Sequence, residues 1–487
     1  MSSSPRLLSL VVCAQLLLTA CGEGSYLGRR IFGNKDRDSD TVKACESRGV
    51  QKITLPQIHA DAASATFPYA FQHIPAASPD LPTIVYIPGG PGQTSIGDHA
   101  DWLEDMPQGY GLVLTDPRGV GCNYVDAGQV GDAFYTSEHV ARDILSAVKH
   151  LNLDNYTLYG ISYGTVVATI AASIAESDAQ AWKQPKGVML EGVLSRAFTD
   201  YAEVSGRYSE LWASHLALLS LTAGTEKADQ FKREPLPLGF DADTWHGAIR
   251  TGLMIGSIYY PEDDFAFEVV PNMIAAAVSD DAEKRARARE LVELLTADDG
   301  SFTKGSDEFY VNIACEEVFT DLRANDFSGG EFVQSGVNYC AEAGLYGSRR
   351  FDAAKYPVKA PIYYLQGADD PATPAALARL HFDGQTASPN RQYLLVNGGG
   401  HNPFKMNMSD CYQTVFAAMA NQGDFAASLA TCGWSEGFAL TSIKDGAATT
   451  ANLDGAALTL TAVDQLFDNA PVTEQLIQPL RGLLISK

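Results

Sequence analysis

Three side chains far apart in the chain could together perform one chemistry. Ser162 lies between two glycines in Gly160-Ile-Ser162-Tyr-Gly164, and a serine hydroxyl becomes an effective nucleophile only when a histidine takes its proton. That histidine needs a carboxylate to fix its tautomer and to stabilise its cation. His401 follows three glycines in Val396-Asn-Gly-Gly-Gly400-His401, and Asp370 stands in Gly367-Ala-Asp-Asp370-Pro-Ala-Thr-Pro374. Serine, aspartate and histidine therefore occur in an order that acyl transfer on a strand-turn-helix scaffold uses. Motif register selects Asp370 over its neighbour Asp369, which is left to cap the following helix. The eight other histidines, His215 and His381 among them, have no such setting and are read as solvated or packing residues.

Acyl transfer also needs donors for the oxyanion that forms on the attacked carbonyl. Pro88-Gly-Gly-Pro-Gly92 follows an apolar run, and backbone without side chains can approach a substrate closely there. The N–H of Gly90 is one expected donor, and the N–H of Tyr163, directly after the nucleophile, is the other. In Thr115-Asp116-Pro-Arg118-Gly-Val-Gly121-Cys122, Asp116 and Arg118 are read as a charged hydrogen-bonded pair that supports the loop.

These residues need a rigid platform. Apolar runs at Pro82 to Pro88, Gly111 to Thr115, Tyr156 to Tyr159 and Gly187 to Leu190 read as buried parallel strands. Between the second and third, Val140, Ile144, Leu145 and Val148 recur at helical spacing and predict a helix over Ser137 to Leu151. Strands alternating with helices imply an α/β fold: a mostly parallel sheet with helices on both faces. After Val193 the pattern turns helical, clearest over Tyr201 to Leu221, Asp243 to Ile258 and Asp281 to Leu295. Strand signals resume at Pro361 to Leu365 and Arg391 to Val396, so the middle reads as a helical cap inserted into one sheet. A helix is expected from Cys411 to about Ala430. The stretch from Trp434 to Lys487 is rich in Ala, Thr and Gly, with turn signals at Asp445-Gly446 and Asp454-Gly455.

The chain opens with a basic start, an apolar run from Leu7 to Leu18, and Leu18-Thr-Ala-Cys21. That is the pattern of a signal peptide, too short to span a bilayer as a permanent helix, and its end resembles a bacterial lipobox. The resemblance implies acylation of Cys21 and a lipid-anchored protein of the cell envelope. With Gly22 after the cysteine, the periplasmic side of the outer membrane is expected if the cell has one. The expected organisation is signal peptide 1–20, tether 21–48, core 49–193, cap 194–356, second core part 357–435, and an extension 436–487 of unassigned role. Export implies an oxidising compartment. Of 8 cysteines, Cys13 falls in the signal and Cys21 at the lipid site, which leaves six. Six allow fifteen pairings; order and locality favour Cys45 with Cys122, Cys315 with Cys340, and Cys411 with Cys432. No spacing predicts a metal site or a cofactor. A net charge of -24 argues against nucleic-acid binding.

With these motifs assembled, the chain from about Cys45 to Cys432 resembles the prolyl and tripeptidyl aminopeptidase-like branch of the α/β-hydrolases. The matching pieces are Pro88 to Gly92, Asp116-Pro-Arg-Gly119, Gly160 to Thr165, Gly367 to Pro374, and Gly400-His401. Pro88 stands where prolyl aminopeptidases usually have histidine, which is similar to the tripeptidyl subgroup. The resemblance implies cleavage of peptides near a free N-terminus through an acyl-enzyme on Ser162, with His401 as base and Asp370 as its partner. A substrate amine would then need an acid from the cap, and Glu316 and Glu317 are the expected candidates. The same triad serves an esterase or lipase acting on small acyl esters or envelope lipids, and the fold does not choose between them. A lipid-anchored, non-catalytic binding protein on the same scaffold is the third reading.

Overall fold

A strand covered on both faces can carry apolar residues at every position, and the centre of this molecule is built from such strands. Strands β3 (Thr83–Ile87), β4 (Gly111–Thr115), β5 (Tyr156–Ile161), β6 (Gly187–Glu191) and β9 (Ile362–Gly367) are buried along their whole length. Successive side chains point to opposite faces of a sheet. Val85, Val113, Leu158, Val188 and Tyr364 accordingly join one core cluster with helices α1 (Ser137–His150) and α2 (Tyr163–Ser177). Their neighbours Ile84, Leu112, Tyr159, Met189 and Tyr363 join a second cluster on the other face, which includes Phe416 and Met419. Each fully buried aliphatic or aromatic side chain contributes about 1.5–3 kcal/mol by leaving water, so these two clusters are what hold the strands in register.

The computed structural model describes residues 45–96, 107–178, 181–198, 202–222, 225–231, 236–260, 265–297, 303–318, 340, 343–345, 347–396, 398–403, 412–421, 423–424, 440–444 and 447–450. Adding β1 (Gln51–Pro56), β2 (Thr66–Ile74), β10 (Arg391–Val396), β11 (Leu440–Lys444) and β12 (Ala447–Thr450) gives a ten-stranded sheet. Its order is β1-β2-β4-β3-β5-β6-β9-β10-β11-β12. The six strands from β4 to β10 in that order run parallel, and antiparallel pairs flank them at both edges.

Residues at both ends of the expected core are joined to it. Cys45 and Arg48, expected within the tether, are bound to the sheet and its loops. Cys45 is disulfide-bonded to Cys122, Gln72 Nε2 donates to the Arg48 carbonyl at 2.8 Å, and Arg48 Nη1 donates to the Ile96 carbonyl at 2.6 Å. The extension after residue 435 is in part sheet, since β11 pairs with β10 and β12 with β11. The expected signal peptide, Cys21, Cys411, Cys432 and Asp454-Gly455 lie outside the described residues.

The insertion carries α3 (Ala202–Thr222), α4 (Thr225–Phe231), α5 (Ala242–Ile255), α6 (Val269–Ala277), α7 (Ala282–Leu295) and α8 (Ser306–Ile313). A π-helical turn, Ala314–Val318, follows α8. Asp241 caps α5 by accepting from Thr244 N at 2.8 Å, and Asp281 caps α7 through Glu283 N, each bond meeting a donor the helix leaves unpaired. Trp245 is fully buried, with its ring 4.9 Å from that of Phe231. A short hairpin, β7 (Ser257–Tyr260) with β8 (Phe265–Glu268), interrupts the helices. The predicted helix to Ile258 therefore stops at Gly256, whose φ of +71° suits a glycine. The disulfide Cys315–Cys340 closes the end of this region. Among the described residues no helix is long and apolar enough to cross a membrane.

Candidate active site

Ser162 terminates β5 and precedes α2 with φ 55° and ψ -122°, a conformation that costs an L-residue about 1–3 kcal/mol and persists only where its surroundings enforce it. The two neighbouring glycines permit the turn by close approach. A β-carbon on Gly160 would run into the carbonyl of Gly164, and one on Gly164 would run into the carbonyl of Ile87. Ser162 N donates to the Glu191 carbonyl on adjacent β6 at 2.8 Å, and Thr165 Oγ1 donates back to the Ser162 carbonyl at 2.6 Å. Ser162 is thereby held at a helix N-terminus, where the first N–H groups have no intrahelical partner.

Asp370 and His401 are brought together at the ends of β9 and β10. His401 Nδ1 lies 2.9 and 2.8 Å from the two Asp370 oxygens. Asp370 also accepts from Ala372 N at 2.8 Å, Thr373 N at 2.9 Å, Thr373 Oγ1 at 2.6 Å and Gln366 Nε2 at 3.0 Å. Burial opposes the charge on Asp370, but the His401 charge and the hydrogen bonds from His401 and Thr373 more than offset it, holding the carboxyl below its ordinary range. An ionised Asp370 leaves the proton on Nδ1, so His401 Nε2 bears the lone pair. That nitrogen is buried and makes no hydrogen bond. A β-carbon on Gly192, the first residue beyond β6, would stand 2.8 Å from His401 Cε1. The ring therefore rests over the strand end next to Ser162. The Ser162 to Nε2 hydrogen bond is not formed, and such contacts often tighten only when substrate binds.

The insertion reaches every loop of this site. His401 N donates to the Met254 carbonyl at the end of α5 at 2.7 Å, and Gly256 forms an antiparallel bridge with Gly399. Arg207 on α3 donates to the Ala368 carbonyl at 3.0 Å and to Asp369 at 3.1 Å. Asp369 thus pairs with the cap instead of capping a helix. Ser306 Oγ, at the start of α8, donates to the Gly92 carbonyl at 2.8 Å.

Asp116 and Arg118 are buried supports, as residue type suggested, but they do not pair with each other. Asp116 accepts from Ser95 N, Ile96 N and Cys122 N, and burial raises its pKa against those bonds. Arg118 makes two bonds to Asp143, at 2.8 and 2.6 Å, which also binds His59 at 2.7 Å. Gln57 and Phe134 carbonyls take further Arg118 hydrogens. A buried ion pair tolerates desolvation only with such additional partners.

Glu316 and Glu317 both lie in the π-helical turn and both serve internal donors. Glu316 accepts from Ser348 N at 2.8 Å and from Ser348 Oγ. Glu317 accepts from Ser137 N at 3.2 Å, at the start of α1, and Ser137 Oγ is 2.9 Å from the hydroxyl of Tyr163. Burial pushes Glu317 up to about 7, although Ser137 and the Arg349 charge act the other way. Because its native pKa lies above the unfolded value of 4.5, the folded state binds the extra proton, and stability falls as pH rises through about 7. Glu317→Gln, which keeps an acceptor for Ser137, is expected to remove that slope. Relative to wild type its urea stability should gain about 3 kcal/mol between pH 4.5 and pH 8. Parallel pH curves for the two proteins would show that Glu317 does not titrate in this range.

Several supports were not anticipated. Thr373 bonds both Asp370 and the vicinity of His401 Nδ1, at 3.2 Å, and its place in the Asp-Asp-Pro-Ala-Thr-Pro run was the available signal. Glu191, fully buried at the end of β6, accepts from Tyr159 Oη at 2.5 Å and from the amide of Asn402, next to His401. Nothing in the local sequence marks it, because its partners come from two distant segments, β5 and the loop after β10.

The strand order, the serine at the β5 to α2 turn and the acid and histidine beyond β9 and β10 define the α/β-hydrolase fold. A family model described as "alpha/beta hydrolase fold" matches residues 82–181. No curated protein matches the chain. Among solved structures, the chain is similar to a proline iminopeptidase of Mycobacterium smegmatis, at 15% identity and TM-score 0.42, over 77% of this chain and all of that one. It is also similar to a thermophilic esterase of Thermogutta terrifontis, at 16% identity and TM-score 0.38, with coverage of 77% and 100%.

Proposed function

We propose that the protein is an exported serine hydrolase, lipid-anchored through Cys21, that releases short N-terminal pieces from peptides. The observation that carries the hydrolase assignment is the state of His401: Nδ1 held by a buried carboxylate, Nε2 buried without a partner. In this reading Ser162 Oγ attacks the acyl carbon while its proton passes to Nε2. The carbonyl pair moves onto oxygen, where the Tyr163 and Gly90 N–H groups receive it. Collapse expels the amine, which takes the proton from His401, and water repeats the sequence to free the acyl group.

The peptide preference rests on the Gly-Gly-Pro-Gly loop and on the large insertion. One observation favours a second reading, hydrolysis of acyl esters: Glu316 and Glu317, expected to meet a substrate amine, are engaged with Ser348 and Ser137.

One experiment addresses both. Membrane and soluble fractions of cells producing the wild-type or Cys21→Ser chain are assayed with free and N-blocked aminoacyl and tripeptidyl arylamides and with short acyl esters. Membrane-bound turnover of free-amine peptides, shifting to the soluble fraction in Cys21→Ser, is expected. Ester turnover without peptide turnover makes the protein an esterase, and an unshifted Cys21→Ser protein removes the lipid anchor.

A further inference from the structure

Tyr163 directly follows the nucleophile and is the first residue of α2. The ψ of Ser162 sets the plane of the peptide that carries the Tyr163 N–H, and Ser162 holds a backbone conformation that persists only where its surroundings enforce it. The Tyr163 side chain, 1% exposed, is part of those surroundings and is held at its far end. Its hydroxyl lies 2.9 Å from Oγ of Ser137, the first residue of α1. Ser137 N in turn donates to the Glu317 carboxylate, 3.2 Å from each oxygen. One serine therefore joins the residue after the nucleophile to a carboxylate of the insertion.

The main chain around that carboxylate is tied down. The Glu316 and Glu317 carbonyls accept from Arg349 N at 3.0 Å and from Phe351 N at 2.9 Å, and the adjacent Cys315 is disulfide-bonded to Cys340. Glu317 lies in a π-helical turn, an element that recurs at functional sites. The preceding helix α8 reaches the elbow from a second direction. The buried Phe309 ring stands 6.0 Å from the Tyr163 ring, edge to face. A β-carbon on Gly92 would stand 3.5 Å from Phe309 Cδ1, so the same ring also backs the glycine loop after β3.

We infer that Glu317 and Ser137 are positioning residues for the oxyanion site: they hold the Tyr163 ring by its hydroxyl, and through the ring they hold the peptide N–H that follows Ser162. The inference rests on the hydrolase reading above and deepens it, since it gives one part of the insertion a share in setting the oxyanion geometry. Glu317 acts here without touching substrate, because its carboxylate is engaged at the start of α1.

The test uses the full chain with Ser137→Ala and Tyr163→Phe, each of which removes one hydroxyl and leaves both backbone N–H groups in place, and with the double variant. Glu317→Ala and Glu317→Gln report on the carboxylate. Substrates are p-nitrophenyl acetate and alanine p-nitroanilide, with phenylboronic acid as a tetrahedral mimic and Ser162→Ala as reference. In Ser137→Ala and in Tyr163→Phe, kcat is expected to fall about 10-fold with KM within about threefold, because a donor is displaced rather than lost. Boronate affinity should weaken in step with kcat. The double variant should be no slower than the slower single one, since both changes break the same bond. Glu317→Ala should lose kcat to a similar degree, and Glu317→Gln, which keeps an acceptor for Ser137 N, should regain most of that loss. Wild-type kcat in folded Ser137→Ala and Tyr163→Phe, losses that multiply in the double variant, or wild-type kcat in Glu317→Ala overturns the assignment and leaves the hydrolase reading standing. Wild type no more active than Ser162→Ala overturns both.

Discussion

Ser162→Ala is expected to lower kcat/KM by about 10⁴-fold or more on every substrate the protein turns over, and to abolish labelling by a fluorophosphonate. The size follows from what remains. Without Oγ no acyl-enzyme forms, and the surviving donors and binding contacts accelerate only direct attack by water. The substitution removes one small polar atom from a residue whose backbone is set by Gly160, Gly164 and the Glu191 carbonyl. The thermal midpoint should therefore stay within a few degrees of wild type, which separates lost chemistry from lost folding. Retention of a tenth or more of the activity would place the nucleophile elsewhere.

The second large effect is expected at Asp370. Asp370→Asn should reduce kcat by about 10⁴-fold. An asparagine facing Nδ1 with its amide nitrogen forces the proton of His401 onto Nε2, the one atom that must be free to accept. Turning the carboxamide the other way restores an acceptor for His401 but points NH₂ hydrogens at groups that donate themselves: Ala372 N, Thr373 N, Thr373 Oγ1 or Gln366 Nε2. Each donor left unmet costs about 1–3 kcal/mol, so a lower unfolding midpoint should accompany the lost rate. Rates must then be referred to the concentration of folded protein. Asp369→Asn is the matching control, since that carboxylate is partly exposed and pairs with Arg207. It should keep kcat within about tenfold, the pair being worth at most about 1 kcal/mol. A larger loss in Asp369→Asn than in Asp370→Asn would reverse the two roles.

How far the sequence could be read follows from how each element is buried. β3, β4, β5, β6 and β9 are covered on both faces and so appear as plain apolar runs. β1 has one buried residue among six, Leu55, and a strand of that kind carries no periodic signal. β11 and β12 are short and rich in Thr, Ala and Ser; only pairing to β10 makes them strands. At the site, Ser162, Asp370 and His401 stood out because each lies in a local motif of glycines or prolines. Their supports did not, because Met254, Arg207 and Glu317 meet their partners across 147 to 180 residues of chain and act through a carbonyl or a single side chain.

The insertion's attachment to the His401, Asp369 and Gly92 loops bears on how such a protein can change over time. A cap joined to the body only through side chains at two hinges can be exchanged for another of different shape, and the chemistry beneath survives. Here the main chain of the insertion supplies the acceptor for His401 N and the bridge partner of Gly399. Substrate range and competence are therefore inherited together. A transplanted cap must reproduce a carbonyl at the place of Met254 before its own pocket is of any use, so new specificities are more accessible through side-chain replacement within this insertion than through recombination of whole caps.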